Sequence, residues 1–390
     1  MISVSEALEN LFALAKPLET ETIPLAEAAG RVLAEPFVAA RNQPPFAASA
    51  MDGYALKGVE ADPESMFKVI GTSAAGARFE GSVGPGQCVR IFTGAPVPVG
   101  ADRVIIQEDV TREGDLITLG RELGSGPNLR PAGADFTIGD TVDAPRRLNA
   151  RDLALLAAMN AGEVTVYRRP EVALLATGDE LVMPGEDPGP DQIIASNSFG
   201  LKAMFEEAGA KARMLPIARD NEASLKAAFE LAKGADMIVT IGGASVGDFD
   251  LVAPVAADLG MKQSFYKVAM RPGKPLMAGT LGDAVMIGLP GNPVSAMVCG
   301  LVFVGPMLAA MQGLGIGPAP ESTAVLGEDV AENGERVHYM RAMLEDGKIT
   351  PLARQDSSLL SILSKANALL IRPVGDQARK AGEVVPYLPL

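Results

Sequence analysis

Four short apolar runs recur between residues 170 and 315, and each is apolar on both faces rather than alternating. They are EVALLA (171–176), ARMLPIA (212–218), ADMIVTI (235–241) and AVMIGL (284–289). Such runs are typical of strands that are buried on both sides of a parallel sheet. Amphipathic stretches with helical spacing, NSFGLKAMFEEAGA and NEASLKAAFELAKG, lie between them. This alternation of strand and helix predicts a doubly wound α/β domain.

The flanking regions follow other patterns. Residues 46–146 are rich in Gly and Pro and contain short strand-like pieces such as FKVIG and QCVRIFTG, which predict a β-rich domain. This domain is inserted between two helical pieces, 1–40 and 148–162, that could pack on one another. From about residue 319 the β pattern returns, with a hairpin predicted to turn at Asp346-Gly347. The sequence thus predicts a multidomain α/β protein with four domains: 1–45 with 147–169, 46–146, 170–318 and 319–390.

Composition narrows the possible chemistry. The 390 residues contain 34 Lys and Arg against 48 Asp and Glu, a net charge of −14 that argues against nucleic-acid binding. Two cysteines and one histidine are too few for a disulfide framework, an ordinary Cys/His zinc site or the usual histidine-activated nucleophiles. The N-terminus lacks a signal-peptide pattern, since Ser3 and Glu6 instead predict a capping box that opens a helix. We therefore expect a cytoplasmic protein.

Residues 284–320 contain no charged side chain and are long enough to cross a bilayer. However, Pro290, Pro293 and Pro306 interrupt the segment, and no cluster of Lys or Arg flanks it. We therefore expect a helix buried in a protein core, and no membrane association.

The first candidate site is GGASVGDFD, which follows a predicted strand. Gly242 and Gly243 let the backbone approach a ligand closely, and Ser245 can donate a hydrogen bond. Asp248 and Asp250 suit a hard cation such as Mg²⁺ that would bridge phosphate oxygens. A plain tight turn with an aspartate capping the next helix explains the same residues.

The second candidate site is LPGNPVSA, which begins at Leu289. Asn292 is a natural N-cap and Pro293 fits the first helical position, so the amides from Val294 to Ala296 would point at one spot and bind an anion. An ordinary helix start explains Asn292 and Pro293 equally well.

The third candidate is the basic stretch FYKVAMRPGKP, which contains Lys267, Arg271 and Lys274. Residues 259–320 have four bases and one acid, a local charge of +3 in an otherwise acidic chain. A solvated basic face is the alternative, but Pro272, Gly273 and Pro275 stiffen the stretch and favour a shaped anion site.

A fourth set of polar residues is spread over two predicted domains. Each member alone is explained as a turn, a cap or a surface residue. The members in the β-rich domain would join the glycine loops only if two domains, or two subunits, face one another. The set consists of Asp52, Thr93, Arg130 and Asp135 in the β-rich domain, and Glu180 and Asp220 in the α/β domain.

Seven segments together resemble the molybdopterin molybdenumtransferase family, which includes MoeA and the E domain of gephyrin. The resemblance runs from SVSEAL near the start to QDSSLLSILSKANALLIRP near the end. The seven segments are SAMDGYAL, RIFTGAPVPVGADRVI, LRPAGADFTIGD, VALLATGDEL, GGASVGDFD, RPGKP and LPGNPVSA.

The resemblance implies a fold and a function. The expected fold has a discontinuous helical domain, an inserted β domain, a molybdopterin-binding α/β domain and a C-terminal β-barrel-like domain. The expected reaction inserts molybdenum from molybdate into adenylylated molybdopterin and releases AMP with Mg²⁺ as cofactor. Homodimers are expected, in which the α/β domain of one subunit faces the inserted domain of the other. A gephyrin-like scaffold without catalysis and a paralogue that uses tungstate are the alternatives.

The resemblance also assigns residues to the cleft. The catalytic candidates include Glu180 and Asp250, which we expect to hold Mg²⁺. The sequence departs from the family pattern at Ala47-Ala48, at Arg271 in place of a lysine, and at Asp356 and Ser358 in place of glycines. The remaining catalytic candidates are Asp52, Asp135 and Asp220, and the substrate-binding candidates are Thr93, Arg130, Gly242, Gly243, Ser245, Lys267, Arg271, Lys274, Pro290, Pro293 and Ser295.

Overall fold

A central six-stranded sheet organises the molecule. The computed structural model of the chain describes residues 1–243 and 251–390. The strands run in the order β2-β1-β3-β6-β5-β4; the first four are parallel, and β5 is antiparallel to both of its neighbours. The predicted doubly wound α/β domain is confirmed, whereas β4 and β5 were not predicted. The strands are β1 (Glu171–Ala176), β2 (Lys211–Met214), β3 (Met237–Ile241), β4 (Lys262–Tyr266), β5 (Met277–Leu281) and β6 (Ala284–Leu289).

Helices cover both faces of this sheet. On one face Leu11, Phe205 and Phe303 share a core with the sheet, and on the other face Phe229 and Val255 do so. Ser3 and Glu6 form the predicted capping box at the first helix. The first face carries α1 (Val4–Phe12), α2 (Asn197–Glu207) and α5 (Pro293–Met311), and the second carries α3 (Glu222–Leu231) and α4 (Val252–Asp258).

Within residues 1–243 and 251–390, one helix, α5, is long and apolar enough to cross a membrane by length and composition alone. It has 19 residues and a mean hydropathy of 2.1, and 78% of its most apolar window is buried inside the protein. The middle of the helix, Gly300–Val304, is π-helical. As predicted, α5 is a buried core helix.

The unit formed by the two separated segments contains a sheet as well as a helix. Its helix spans Ala150–Ala158, and its strands are Thr20–Pro24, Val32–Leu33, Arg146–Arg147 and Glu163–Tyr167. The expectation that the two pieces pack on one another is confirmed for residues 20–40, because Ile23 and Leu33 share a cluster with Leu156, but it is wrong for α1. The apolar face of α1 lies in the core of the central sheet, while Leu156 of the other helix packs in a separate cluster with Val164 and Val166.

The inserted β domain is confirmed. Its six-stranded sheet runs in the order Arg103–Ile106, Gly53–Leu56, Gln87–Ile91, Met66–Ser73, Leu116–Leu119 and Val110–Glu113. Shorter two-residue ladders pair Ala48–Ser49 with Leu129–Arg130 and Phe37–Val38 with Thr141–Val142.

The C-terminal region forms a closed barrel of five strands. The pairing of Val337–Glu345 with Ala368–Arg372 closes the ring. The predicted hairpin is confirmed, because Asp346 and Gly347 both have positive φ, 47° and 75°, as a tight hairpin turn requires. The other barrel strands are Ser322–Leu326, Lys348–Pro351 and Val384–Pro389, and a short helix spans Leu360–Leu363.

Two backbone connections hold the barrel against the carboxyl edge of the central sheet. Strand Met270–Arg271, from the RPGKP stretch, pairs in parallel with the start of Val337–Glu345. On the other side, the amide of Val294 at the start of α5 donates to the carbonyl of Ser357 at 3.0 Å. The barrel is therefore attached to two of the three loops that the sequence singles out as anion sites.

Arg168 joins the discontinuous unit to the amino edge of the central sheet. Its guanidinium donates to both carboxylate oxygens of Asp236 at 2.9 Å and to Glu19 at 3.1 Å, and Asp236 also accepts from the amide of Glu171. Burial works to raise the pKa of Asp236, but the hydrogen bonds from Arg168 and Glu171 outweigh it and leave that pKa lowered. The network therefore stabilises the fold only while Asp236 is ionised.

We expect Asp236→Asn to lower the free energy of unfolding by about 1–3 kcal/mol at pH 7, because it removes a charged acceptor from a largely buried network. The difference between variant and wild type should shrink as the pH falls below the ordinary aspartate pKa of about 3.9, because Asp236 then takes up a proton in the unfolded chain while it stays ionised in the folded protein. Urea unfolding between pH 7 and pH 3 measures this. Glu19→Gln is the control, because Glu19 lies at the exposed end of the network and its loss should lower the free energy of unfolding less. A stability difference between Asp236→Asn and wild type that stays constant from pH 7 to pH 3 would contradict this account.

Candidate functional site

A cavity of about 730 Å³ opens at the carboxyl edge of the central sheet. It lies where β1 and β3 are neighbours but their following connections leave in opposite directions, which is where ligands bind in open α/β sheets. Six of the predicted site residues line it, and no residue of the inserted domain does. The predicted residues in the lining are Glu180, Asp220, Gly242, Gly243, Pro290 and Pro293, and the rest of it includes Thr177, Gly178, Asn197, Asn292 and Ser358.

The loop after β1 is fixed by its own backbone. Gly178 has a φ of 148°, and a Cβ added to it would collide with the carboxylate of Glu180, which folds back over this glycine. The amide of Gly178 donates to the carbonyl of Ala218 at 3.1 Å, which ties the loop to the segment after β2. The Glu180 carboxylate can therefore occupy its observed position only because residue 178 is a glycine.

Three carboxylates meet where this loop joins the segment after β2. The amides of Asp179 and Asp220 each donate to the carboxylate of the other residue, at 3.4 and 3.2 Å. The pKa of Asp220 is raised by burial first, and the charges of Asp179 and Glu180 add to this against the hydrogen bond from the amide of Asp179. Negative charge is therefore concentrated at this corner of the cavity.

The glycine loop after β3 is described only at its start. Gly242 and Gly243 have φ values of 90° and 64°, and a Cβ on Gly243 would collide with Val252. The predicted residues Ser245 and Asp250 lie outside the described residues, and their roles stay predictions.

The hydrogen bonds at the start of α5 differ from those that the sequence predicts. Asn292 makes no capping bond; its side chain donates to the hydroxyl of Ser357 at 3.1 Å instead. The amide of Val294 is used by the carbonyl of Ser357, and that of Ala296 by the helical bond to Asn292. The prediction that these amides are free for an anion is wrong, because the barrel supplies an acceptor that is distant in sequence. Ser295 is 4% exposed and lies behind the cavity wall.

The basic stretch lies between β4 and β5, beside the cavity. Pro275 lines the cavity, whereas Lys267, Arg271 and Lys274 do not. Lys267 has a φ of 69° and its ammonium lies 5.1 Å from the centre of the Tyr266 ring. Arg271 is exposed and is paired with the barrel strand opposite His338.

A buried arginine of the barrel, Arg341, lies within electrostatic range of Arg271. It has no exposed surface, and among the described residues its Nε and Nη1 atoms have no hydrogen-bond partner. Its Nη2 donates to the carbonyl of Asp356 at 3.2 Å. Burial and then the charge of Arg271 lower the pKa of Arg341. The sequence analysis missed this residue, because an arginine in the mixed strand VHYMRAMLE gives no local signal of burial.

His338, the single histidine, is buried beside this arginine pair. Burial lowers its pKa to about 4, and the charges of Arg271 and Arg341 act in the same direction. At neutral pH His338 is therefore uncharged, so the positive charge here comes from the arginines.

The predicted residues of the inserted domain lie apart from the cavity. Asp52 accepts from the amide and the hydroxyl of Thr93, both at 2.7 Å, and these bonds lower its pKa. Arg130 lies in a two-residue strand, and the amide of Asp135 donates to the carbonyl of Gln43. Asp52 thus holds the RIFTGAP turn in place, and one chain alone does not bring these residues to Glu180.

No group of three or more His, Cys, Asp or Glu side chains that could hold a metal ion occurs within residues 1–243 and 251–390. The carboxylate of Glu180 lines the cavity, and Asp250 is outside these ranges. Mg²⁺ commonly takes only one or two protein carboxylates and completes its shell with water and substrate phosphates. The donor set therefore fits Mg²⁺ only together with a phosphate ligand.

Comparison with known proteins covers the whole chain. Residues 2–160 match the MoeA N-terminal region (domain I and II), residues 173–310 a probable molybdopterin binding domain, and residues 323–390 the MoeA C-terminal region (domain IV). The molybdopterin molybdenumtransferase of Nostoc sp. is 34% identical over 410 residues, covering 100% of this chain and 94% of that protein. The chain belongs to the molybdopterin molybdenumtransferase family.

Two further relatives support this family membership. The molybdopterin molybdenumtransferase of Haemophilus influenzae is 35% identical over 399 residues, covering 100% of this chain and 98% of that protein. The crystal structure of a molybdopterin biosynthesis MoeA protein from Pyrococcus horikoshii OT3 has a TM-score of 0.85 at 29% identity and covers 100% of both chains. The family resemblance stated from the sequence is confirmed, and the protein is a transferase of molybdenum cofactor biosynthesis.

The position of Glu180 gives a test of the cavity as the active site of this family member. We expect Gly178→Ala to lower kcat by about a hundredfold, because the added methyl group displaces the Glu180 carboxylate. Gly185→Ala is the matched control, since Gly185 also has a positive φ, 94°, but open space around its Cβ position. Both variants should lose about 1 kcal/mol of stability from backbone strain. Equal turnover in the two variants would show that the Glu180 position does not matter.

Proposed function

We propose that this enzyme inserts molybdenum from molybdate into adenylylated molybdopterin and releases AMP in a Mg²⁺-dependent step. The observation that carries this proposal is the pairing of a cavity at the carboxyl edge of the α/β sheet with a buried, unpaired arginine of the barrel. Both belong to one place in the molecule, because the barrel loop that accepts from Arg341 also contributes Ser358 to the cavity lining.

Arg341 and Arg271 have the chemistry to bind molybdate. The charge of Asp356 stabilises the Arg341 guanidinium, but burial and the charge of Arg271 outweigh it, and a bound dianion would offset the remaining cost. The Nε and Nη1 atoms of Arg341, which have no partner among the described residues, each keep a donor for an oxyanion oxygen. Arg271 adds a second charge from the central domain. Molybdate is thus bound at the junction of the two domains.

The cavity suits the pterin nucleotide. The left-handed glycines 178, 242 and 243 allow the backbone to lie close to a phosphate, and Glu180 and Asp220 line the same space. Glu180, together with Asp250, would hold Mg²⁺ against the phosphates, and the ion would neutralise charge as the phosphate anhydride is cleaved. The role of the protein is to hold the Glu180 carboxylate in one position and to bind the nucleotide in one orientation.

The proposed reaction balances without a redox partner. Molybdate condenses with the two thiols of the dithiolene; two molybdenum–sulfur bonds form, and both thiol protons leave with one molybdate oxygen as water. Hydrolysis of the anhydride consumes one water, breaks one phosphorus–oxygen bond and releases AMP. Neither the condensation nor the hydrolysis requires a histidine. Both are accelerated by charge neutralisation and by positioning of the reactants.

A homodimer would complete the site. Asp52, Thr93, Arg130 and Asp135 lie in the inserted domain, which contributes nothing to the cavity of its own chain. A partner subunit that presents its inserted domain to the cavity would bring them to the substrate. This arrangement explains why the family resemblance assigns residues of both domains to one cleft.

The direct test of the function is an assay with purified protein, adenylylated molybdopterin, molybdate and Mg²⁺. AMP release together with molybdenum bound to the pterin is the expected result. Tungstate replaces molybdate in a parallel reaction and measures oxyanion preference. Binding of the pterin nucleotide without AMP release or metal insertion would favour the scaffold function and overturn the proposal.

Arg341→Met tests the molybdate site. We expect the KM for molybdate to rise about tenfold or more, because charge-assisted hydrogen bonds contribute about 1.5–3 kcal/mol. The fold should tolerate the change, since it removes an unpaired buried charge. Arg379→Met is the control, because Arg379 is a barrel arginine in partly exposed ion pairs with Asp376 and Glu383. An unchanged KM in Arg341→Met would contradict the assignment.

The dimer is tested by mixing two inactive proteins, Asp52→Ala and Glu180→Gln. If each cleft uses one chain's inserted domain and the other chain's cavity, heterodimers contain one intact cleft. Refolding or subunit exchange at equal amounts should then recover about a quarter of wild-type activity. The absence of recovery, with heterodimers demonstrated by mass spectrometry, would place all of these residues in a cleft of a single subunit.

A further inference from the structure

Arg219 makes an unusual set of contacts on the loop that carries Glu180. Its Nη1 atom lies within hydrogen-bond distance of three backbone carbonyls, those of Gly178 (3.4 Å), Asp179 (3.0 Å) and Leu181 (3.1 Å). The loop therefore curls around one guanidinium nitrogen, with these carbonyl oxygens turned towards it.

Arg219 lies behind this loop and not in the active-site cavity. It lines a separate cavity of about 410 Å³ with Leu181, Val182 and Met183, and it is absent from the lining of the active-site cavity. Its backbone is fixed independently, because its amide donates to the hydroxyl of Ser224 at 2.9 Å and its carbonyl accepts from the amide of Asn221. The side chain thus reaches the loop from a rigid base at the start of α3.

The contacts determine which side of the loop faces the substrate. With the carbonyls of Gly178, Asp179 and Leu181 directed at Arg219, the Glu180 side chain between them is on the cavity side and folds back over Gly178. The guanidinium also supplies a positive charge beside Asp179, Glu180 and Asp220, which would otherwise repel one another. Loss of Arg219 frees both the carbonyls and the carboxylate.

We propose that Arg219 is a positioning residue, which holds the Glu180 carboxylate in the geometry that binds the divalent cation and the substrate phosphates. The proposal rests on the proposed function, since it assigns a purpose to a residue that does not touch the substrate. Residues that orient a metal ligand from behind typically change metal affinity or activity 10–100-fold when they are replaced.

The experiment compares Arg219→Met with Arg213→Met in the full-length protein. Arg213 is the matched control, because it also donates to backbone carbonyls, of Leu231 (2.6 Å) and Lys233 (3.1 Å), but neither carbonyl belongs to the loop that carries Glu180. Electron paramagnetic resonance measures binding of Mn²⁺, in place of Mg²⁺, to protein saturated with AMP. Steady-state assays give kcat and the KM for molybdate, and thermal unfolding gives Tm.

Arg219→Met should bind Mn²⁺ about tenfold or more weakly than wild type and lose kcat by a similar factor, with the KM for molybdate unchanged. Arg213→Met should lower Tm without changing Mn²⁺ binding or kcat. Arg219→Lys keeps the charge but not the planar fork, so it preserves the fold and should show an intermediate loss.

Wild-type Mn²⁺ affinity and kcat in whichever Arg219 variant folds would overturn the positioning role, while wild-type AMP release and molybdenum insertion would still support the proposed function. A wild-type protein that neither binds Mn²⁺ with AMP nor inserts molybdenum would instead overturn the proposed function, and the role of Arg219 with it.

Discussion

The charge of Arg341, buried and without a hydrogen-bonded counter-ion, is the constraint on which the site depends. A guanidinium in this state is costly, and the protein keeps it by packing the barrel against the carboxyl edge of the α/β sheet. The two backbone connections, at Met270–Arg271 and between Val294 and Ser357, hold that packing in register. The proposed oxyanion site depends on this packing, because it lies where the barrel meets the central domain.

The rest of the site follows from the topology of the sheet. Because β1 and β3 are neighbours whose connections diverge, their carboxyl ends leave a space, and glycines at 178, 242 and 243 keep that space open to a ligand. The loops around it are supported from behind by Arg219 and from the side by the barrel loop at 356–358. The proposed cation site at Glu180 and the proposed oxyanion site at Arg341 are thereby held by different parts of the chain, and the barrel loop at 356–358 connects them.

The sequence was sufficient to predict the parallel core strands, the inserted β domain and the C-terminal hairpin, because apolar runs and turn residues are local signals. It could not predict that Ser357 occupies the amide of Val294, since the two residues are far apart in the chain. Arg341 was missed for the same reason, because an arginine in the mixed strand VHYMRAMLE is read as a surface residue, and its burial depends on parts of the chain that are distant in sequence. The roles of Ser245 and Asp250 still rest on sequence alone.

The central claim is that the barrel and the α/β domain together form the oxyanion site. The most direct measurement is anomalous diffraction at the tungsten edge from crystals of the full-length protein soaked in tungstate, which has the shape and charge of molybdate. The account predicts an anomalous peak at a tungstate whose oxygens accept from Nε or Nη1 of Arg341, close to Arg271, and loss of that peak in Arg341→Met. A peak elsewhere in the α/β domain or in the inserted domain, with none at Arg341, would contradict it.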